Sequence, residues 1–511
     1  MKNIKLQYTL YSVLLLVFML FIACEEKEVN PDDEEAGINV TANDFSTSVA
    51  ENPAADASLG NVSASASDGS VLTYAITTQN VNGALLINAN TGELTVGDAA
   101  TFDFETNPSI TATYTATADT VTSSAAINIT LTDVEETTAQ NGFVTTWRTT
   151  SANETIEIPV IDTLTYNYAV DWGDGSTSAN LTANAEHIYS SAGIYTVTIT
   201  GDFPAINFEQ FGLDPFVGIP EQKQIASIEQ WGNIQWETMR GAFFGCENLI
   251  YNASDVPDLS RVSDLSDMFY NAEDFDGAIG NWDVSTITNM EGMFLGADSF
   301  NQALNEWDVS NVTNMSFLFF SADNFNQALD QWDVSNVTTM QSMFLGTAFD
   351  QPIENWEVSN VTSMEAMFAA NDAFNQPLEM WNVTSVTNMT GMFRDAEVFN
   401  QPLNEWDVGS VTDMREMFAN AGAFNQNLNN WNVENVTDMK RMFVSTVAFD
   451  GDISTWNVSK VTDMEEMFRD AIAFNKPLNA WDTDLVVNCS SFALNSALAS
   501  TNFPPLSNCS Q

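Results

Sequence analysis

The sequence predicts a multidomain chain in which two N-terminal beta-sandwich domains precede an alpha/beta solenoid of 25-residue repeats. Three observations predict it. Trp282, Trp307, Trp332, Trp356, Trp381, Trp406, Trp431, Trp456 and Trp481 recur at intervals of 25, with one interval of 24. A fixed period of that length marks stacked units rather than one globular core. Between residues 39 and 207, short runs of alternating apolar and polar residues are separated by turn residues, the pattern of small antiparallel sheets. The apolar share, 44%, is that of a folded chain, so the 511 residues are long enough for several domains.

The chain carries 14 Lys and Arg against 69 Asp and Glu, a formal charge of -55. So acidic a body repels phosphate backbones, which excludes nucleic acid as a partner, and it repels anionic lipid surfaces. His187 is the single histidine. Zinc sites built on several histidines are therefore excluded, as are imidazole triads away from that residue. No paired-carboxylate site, nucleophile elbow or phosphate loop stands out, and the chain reads as a non-enzyme.

Lys2 and Lys5 precede an apolar run, Tyr11 to Ala23, that is too short to span a bilayer well. The run stops at Phe21-Ile22-Ala23-Cys24, which resembles a bacterial lipoprotein cleavage box with Phe21 in place of the usual Leu. The resemblance implies a signal peptide over residues 1–23 and lipidation at Cys24. The acidic tether over 24–38 resembles the surface-export signal of Bacteroidetes lipoproteins. Together these imply an exported protein at the cell surface or outer membrane, held to the membrane through its lipid anchor.

Residues 39–135 alternate, as in Leu72-Thr73-Tyr74-Ala75-Ile76 and Ala126-Ile127-Asn128-Ile129-Thr130-Leu131. With Ala50-Glu51-Asn52, Ile87 to Leu94, Phe102-Asp103-Phe104-Glu105 and Leu131-Thr132-Asp133, they resemble a cadherin-type repeat. The resemblance implies calcium as a candidate cofactor, with Glu51, Asp68, Asp103, Glu105 and Asp133 as candidate ligands; hard carboxylate oxygens suit that ion. Residues 143–207 carry Val170-Asp171-Trp172-Gly173-Asp174-Gly175, His187-Ile188-Tyr189 and Gly193-Ile194-Tyr195-Thr196-Val197. They resemble a PKD-type domain, which makes His187 structural. This unit is a candidate N-terminal cap for the repeats.

Residues 226–488 hold the repeats. In one unit, Val386, Met389, Met392 and Phe393 have the spacing of one helix face. Thr387 stands at the expected N-cap, as do Thr288, Thr313, Thr338, Thr362, Thr412, Thr437 and Thr462. Glu291, Glu365 and Glu465 would complete capping boxes. Trp381 and Val383 flank polar Asn382 as a half-buried strand would, and Pro377 marks a turn. Each unit is expected to make one short strand, one short helix and two turns, with the tryptophans in a shared core. The pattern Trp-Asp-Val-Ser-Asn-Val-Thr-Asn-Met-x-x-Met-Phe resembles the BspA-type leucine-rich-repeat surface proteins and a related repeat of mycoplasma lipoproteins. That resemblance implies adhesion to an extracellular protein or cell-surface ligand. The alternative is a carbohydrate-binding accessory lipoprotein, since PKD-type domains accompany polysaccharide enzymes.

Two polar columns repeat with the tryptophans. One holds Asp283, Asp308, Asp333, Glu357 and Asp407 with Asn382, Asn432 and Asn457 interleaved; the other begins Asn301-Gln302 and Asn326-Gln327. Recognition is expected in these columns, because the Trp, Met and Phe columns are spent on stacking. In the C-terminal cap, residues 489–511, an exported protein would pair Cys489 with Cys509. Cys246 remains as a buried free thiol. The period itself is testable: deleting one whole unit should leave a shorter folded stack, and deleting half a unit should unfold it, as read by circular dichroism and thermal melting.

Overall fold

The computed structural model describes residues 37–104, 106–132, 141–211 and 220–509. The chain forms two compact units, Met1–Glu135 and Glu136–Gln511.

The first unit is all beta: β1 (Val40–Asn43), β2 (Phe45–Ala50), β3 (Ser58–Asn61), β4 (Ser63–Ala66), β5 (Thr73–Gln79), β6 (Leu85–Ile87), β7 (Glu93–Val96), β8 (Ser109–Ala118) and β9 (Val121–Thr132). They form sheets in the orders β2-β9-β8-β5, β3-β7-β6 and β1-β4. Along β8 the side chains of Ile110, Ala112, Tyr114 and Ala116 are buried while the intervening threonines face outward, the period of two that a strand imposes. Phe102, Ile127, Ile129, Leu131 and Leu94 complete this core. The buried Tyr114 ring keeps its hydroxyl satisfied by donating to the carbonyls of Asn43 (2.8 Å) and Ser63 (2.9 Å).

The second unit opens with β10 (Phe143–Thr149), β11 (Glu154–Ile158), β12 (Asn167–Asp171), β13 (Thr177–Leu181), β14 (Ala185–Tyr189) and β15 (Gly193–Asp202). After a 3-10 turn at Phe208–Phe211 come the helix α1 (Pro220–Gln224), β16 (Ile225–Gln230) and β17 (Ile250–Tyr251). The main sheet runs β13-β12-β15-β10-β16-β17, with β11-β14 beside it. The turn after β12 needs its glycines. Gly173 has φ +74, and a Cβ there would lie 2.3 Å from the Thr196 carbonyl oxygen. One hydrophobic core continues from this sheet into the repeats. Phe143 stacks on Trp231 (5.4 Å) and meets Trp236 edge-on (5.2 Å), and Trp231 meets Trp282 edge-on at 5.4 Å.

The expected alpha/beta solenoid is not what forms. No residue between 231 and 509 is α-helical, and the repeats contain turns and isolated parallel bridges. Where a helix was expected, each repeat makes a ribbon of overlapping tight turns. In one ribbon the Met392 N–H donates to the Met389 carbonyl, Arg394 to Gly391 and Ala396 to Phe393. The alternate N–H groups leave the repeat: Met389 donates to the Asp413 carbonyl, Gly391 to Arg415, Phe393 to Met417 and Asp395 to Ala419. Two residues four apart have positive φ in every ribbon, such as Gly391 (+58) with Asp395 (+59) and Ala366 (+52) with Ala370 (+51). A right-handed helix cannot hold left-handed residues at that spacing. The apolar spacing misled because turns closing three residues back present Met389, Met392 and Phe393 inward just as a helix face would.

The caps change meaning with the helix. Thr387 caps nothing; its N–H and hydroxyl both donate to the Thr362 carbonyl, and the other column threonines repeat this rung to rung. Glu291, Glu365 and Glu465 close no capping box but accept from the side-chain amides of Asn314, Asn388 and Asn488 in the following unit. The Trp-Asp-Val segment forms no strand and runs irregularly between two turns.

The nine periodic tryptophans are all buried. From Trp332 to Trp481 the rings stack in parallel at 6.2–6.5 Å between centroids. Trp381 Nε1 donates to the Ile353 carbonyl at 3.0 Å, and each later tryptophan does the same one unit on. The 24-residue unit lacks a residue beside Ala348. There Asn371, fully buried in a column otherwise of Ala, Thr, Cys and Ser, donates to Thr347 Oγ1 (3.2 Å) and to the Phe349 carbonyl (3.0 Å). Cys489 and Cys509 form a disulfide, and Cys246 is a buried free thiol whose pKa burial pushes well up.

The ribbon separates from a helix in one substitution. Ala366→Gly should stabilise the chain by about 1 kcal/mol, because a left-handed alanine costs roughly 1–2 kcal/mol that glycine does not incur. In a helix the same change would cost about 1 kcal/mol. Urea unfolding reads the sign.

Candidate binding surface

The two polar columns singled out in the sequence are bonded within the stack. Asp283, Asp308 and Asp333 each accept the N–H of the serine two residues on, at 3.0–3.1 Å, closing a local turn. The Ser335 hydroxyl first, and then that N–H, hold Asp333 below the usual carboxylate range. Asn382, Asn432 and Asn457 do the same in their units. The second column is a ladder: Asn400 N–H donates to Asn375 Oδ1, Asn425 N–H to Asn400 Oδ1, and Gln426 Nε2 also donates to Asn400 Oδ1. The first column closes turns and the second joins neighbours.

The remaining variable surface is the outer side of the turn ribbons. In five successive units the residue after the core Phe is large and apolar: Phe244, Tyr270, Leu295, Phe320 and Leu345. The last four are half-buried, and Phe244 stacks on Tyr270 at 4.5 Å. Phe317 joins them at 6.1 Å from Phe320. It occupies a left-handed position, φ +59, that other units give to Gly, Ser, Asp, Ala, Glu or Arg. A bulky aromatic there stores about 1–2 kcal/mol of backbone strain. Neither its spacing nor its residue type marked Phe317 in the sequence, because the helix reading hid the left-handed position.

Farther along, the same side of the stack becomes charged. Half of the chain's 14 Lys and Arg residues lie between 394 and 476. Arg441 meets Glu466 at 2.6 Å, Arg469 meets Glu466 at 2.6 Å, Lys440 meets Glu465 at 2.7 Å and Arg394 meets Glu416 at 3.2 Å. These cations are neutralised within the ribbon face.

Of the candidate calcium ligands, Glu105 and Asp133 lie outside the described residues, as do Cys24 and the segment 1–36. Glu51 is buried and accepts the Phe104 N–H at 2.7 Å. Asp68 accepts from Ser70, and Asp103 from Thr106, each closing its own turn. Among the described residues no three His, Cys, Asp or Glu side chains gather as metal ligands. His187 stacks on Trp172 at 4.8 Å, and its Nε2 lies 2.8 Å from Asp174 Oδ2. The Ser176 hydroxyl and then this histidine hold Asp174 down to about 2. Among the described residues no helix is long and apolar enough to cross a membrane.

Fold and surface define a protein with one small beta unit and a second, larger unit in which a beta sheet continues into stacked 25-residue repeats. The chain belongs to the family described as "Mycoplasma protein of unknown function, DUF285", whose model matches residues 237–348, 323–431 and 402–503, together more than half of the chain. No curated protein matches it. Solved structures similar to it include cadherin ectodomains. "Protocadherin Gamma B2 extracellular cadherin domains 3-6" is 15% identical, with 31% of this chain and 46% of that one covered and a TM-score of 0.18. The Drosophila N-cadherin EC1-4 structure is 15% identical, covering 30% and 46%, also at 0.18. Human Protocadherin-24 EC1-2 is 12% identical, covering 30% and 88%, again at 0.18. The chain spans less than half the length of the first and second of these. Likeness at a TM-score of 0.18 carries no argument about architecture or role.

The junction between the sheet and the first repeats carries one titrating group. Burial first, then the nearby Glu209 and Glu291, push Asp267 up to about 6, against the pull of Arg240. Unfolded, the group titrates near 3.8. The folded chain therefore holds an extra proton between about pH 4 and 6, and stability falls as pH rises through that window. Asp267→Asn should raise the melting temperature at pH 7.5 and lose that gain by pH 4, as read by calorimetry across pH.

Proposed function

We propose that the chain is a surface-displayed binding protein, held to the membrane through Cys24, that takes an extracellular protein partner on the apolar part of its ribbon face. Phe317 carries this reading. The fold does not require a phenylalanine at φ +59, since Gly292, Ser342, Ala366 and Gly391 fill the same position in neighbouring units. Strain kept at a surface aromatic is the pattern of a recognition site. Around it, Tyr270, Leu295, Phe320 and Leu345 offer the aromatic and apolar groups that dominate protein interfaces. The family match supports a repeat architecture and leaves the ligand open.

The reading separates stability from binding. Phe317→Gly should change stability by no more than about 1 kcal/mol, because relief of the left-handed strain offsets the lost burial of the ring against Phe320. The same variant should weaken saturable binding to an extracellular protein at least tenfold in a surface plasmon resonance panel, with Phe320→Ala acting likewise. Met380→Ala, at an exposed apolar residue off this face, should change neither. Failure to bind anything in a broad panel of matrix and cell-surface proteins would overturn the proposal, as would binding that ignores both phenylalanines.

A further inference from the structure

The peptide groups that join the ribbons all point one way. In each ribbon, four alternate N–H groups face the C-terminal end of the stack and meet carbonyls of the next unit. The last such bonds run from Met464, Glu466, Phe468 and Asp470 N–H to the carbonyls of Asn488, Ser490, Phe492 and Leu494, at 2.7–2.9 Å. The final ribbon repeats the geometry, with left-handed residues at Ser491 (φ +55) and Asn495 (φ +62). Its Phe492 and Leu494 N–H groups close their own turns. The N–H groups of Ser491, Ala493 and Asn495 have no acceptor among the described residues.

The described part of the C-terminal segment leaves the edge from Ser491 to Asn495 open. Asn502 accepts from Leu478 N–H through its carbonyl, Pro505 accepts from Thr483, Asn508 donates to Asp484, and Cys509 is bonded to Cys489. The described part of the segment thus covers the side of the final unit up to Cys489. Between the open ribbon and Phe503 lies an apolar pocket of about 310 Å³ lined by Ser491, Phe492, Ala493, Leu494 and Phe503. The Leu494 side chain beside it is half exposed.

We propose that this open ribbon edge is a docking site for a segment of another polypeptide, which adds a rung of backbone carbonyls and places an apolar side chain in the pocket. The occupant follows from the ladder. At every earlier rung the acceptors of these N–H groups are backbone carbonyls on alternate residues, so a polypeptide supplies the matching row. Alignment of the peptide dipoles along the stack makes the N–H end electropositive, which favours carbonyl oxygens. A second copy stacked head to tail does not fit. The other edge of the first ribbon is covered: Asn207 Nδ2 donates to the Arg240 carbonyl at 2.8 Å, and Gly241 and Gly245 lie against the side chains of Glu209 and Gln222.

The test uses the full chain and a synthetic 25-residue peptide of sequence 456–480, which carries a complete ribbon. In hydrogen exchange, the amides of Ser491, Ala493 and Asn495 should exchange at least a hundredfold faster than those of Glu466, Phe468 and Asp470, and should slow when the peptide binds. Ala493→Pro, which removes one donor, and Leu494→Glu, which fouls the pocket, should each weaken peptide binding at least tenfold in fluorescence anisotropy. Circular dichroism melting of both variants checks that they remain folded, and Leu494→Glu, outside the donor row, keeps the test decisive should Ala493→Pro disturb the turn. Three results would each overturn the proposal: protection of those three amides in the free chain, sedimentation showing that a second copy covers the edge, or peptide binding indifferent to both substitutions.

Discussion

The structure of the larger unit depends on one arrangement of the backbone. Every second peptide in the turn ribbon is aimed out of its own repeat, and every such peptide finds a carbonyl in the next. A helix satisfies its amides internally and then needs side chains to hold it to its neighbours. The ribbon instead makes the backbone itself the joint between repeats. The left-handed residues are the condition for this, because they turn alternate peptides outward while the intervening ones close three-residue turns. Once the joint is fixed, side chains at equivalent positions must come into register, and the aromatic columns follow. Phe294, Phe319, Phe344 and Phe368 stack at 5.6–5.8 Å because their backbones have been placed in register.

Registration explains why so many polar side chains are drawn inward to the stack rather than left for partners. A threonine in each unit can reach the threonine carbonyl below it, and an asparagine can receive the N–H above it. Each rung adds about 1 kcal/mol of hydrogen bonding, and the sum is spread evenly along the chain. Cooperative stability of this kind is nearest-neighbour in character. It tolerates local irregularity where the lost bonds are replaced. The shortened unit shows this: Asn371 supplies two amide bonds at the gap beside Ala348. At the first repeats, Trp231 and Trp236 do the equivalent work by extending the beta-sheet core into the stack.

Much of this was legible in the sequence, and the failures have physical causes. The tryptophan interval located the units, and the burial of Trp, Met and Phe follows from their recurrence. Secondary structure was misjudged because residues three and four apart share a side in a helix and in a run of tight turns alike. The distinguishing signal was present at Gly292, Gly296, Gly346 and Gly391, where glycine recurs at ribbon positions that a helix would leave to better formers. It is diluted because Asp267, Ser342, Ala366, Glu416 and Arg441 hold equivalent places despite their side chains. The amide and aspartate columns were visible as columns, yet their targets were not, since an Asn that closes a turn and an Asn that faces a ligand have the same spacing.

A backbone that joins repeats leaves the outer side of the ribbon under little constraint. Positions such as 317, 342, 366, 391 and 416 need only tolerate a left-handed residue, and the neighbouring positions 295, 320, 345, 394 and 444 need only point outward. The chemistry of this side therefore drifts freely along the stack, from Tyr270 and Phe320 to Arg394 and Arg469, while the core columns stay uniform. At the charged end the drift is self-limiting: Arg394, Arg415, Lys440, Arg441 and Arg469 are each met by an acid of the same or the next unit, as Arg441 is by Glu466. At the apolar end nothing in the described residues plays that part for Phe317 and Phe320. The stack thus presents one neutralised stretch and one unsatisfied stretch on a common frame, and that asymmetry, rather than the acidity of the whole chain, is what a partner can distinguish.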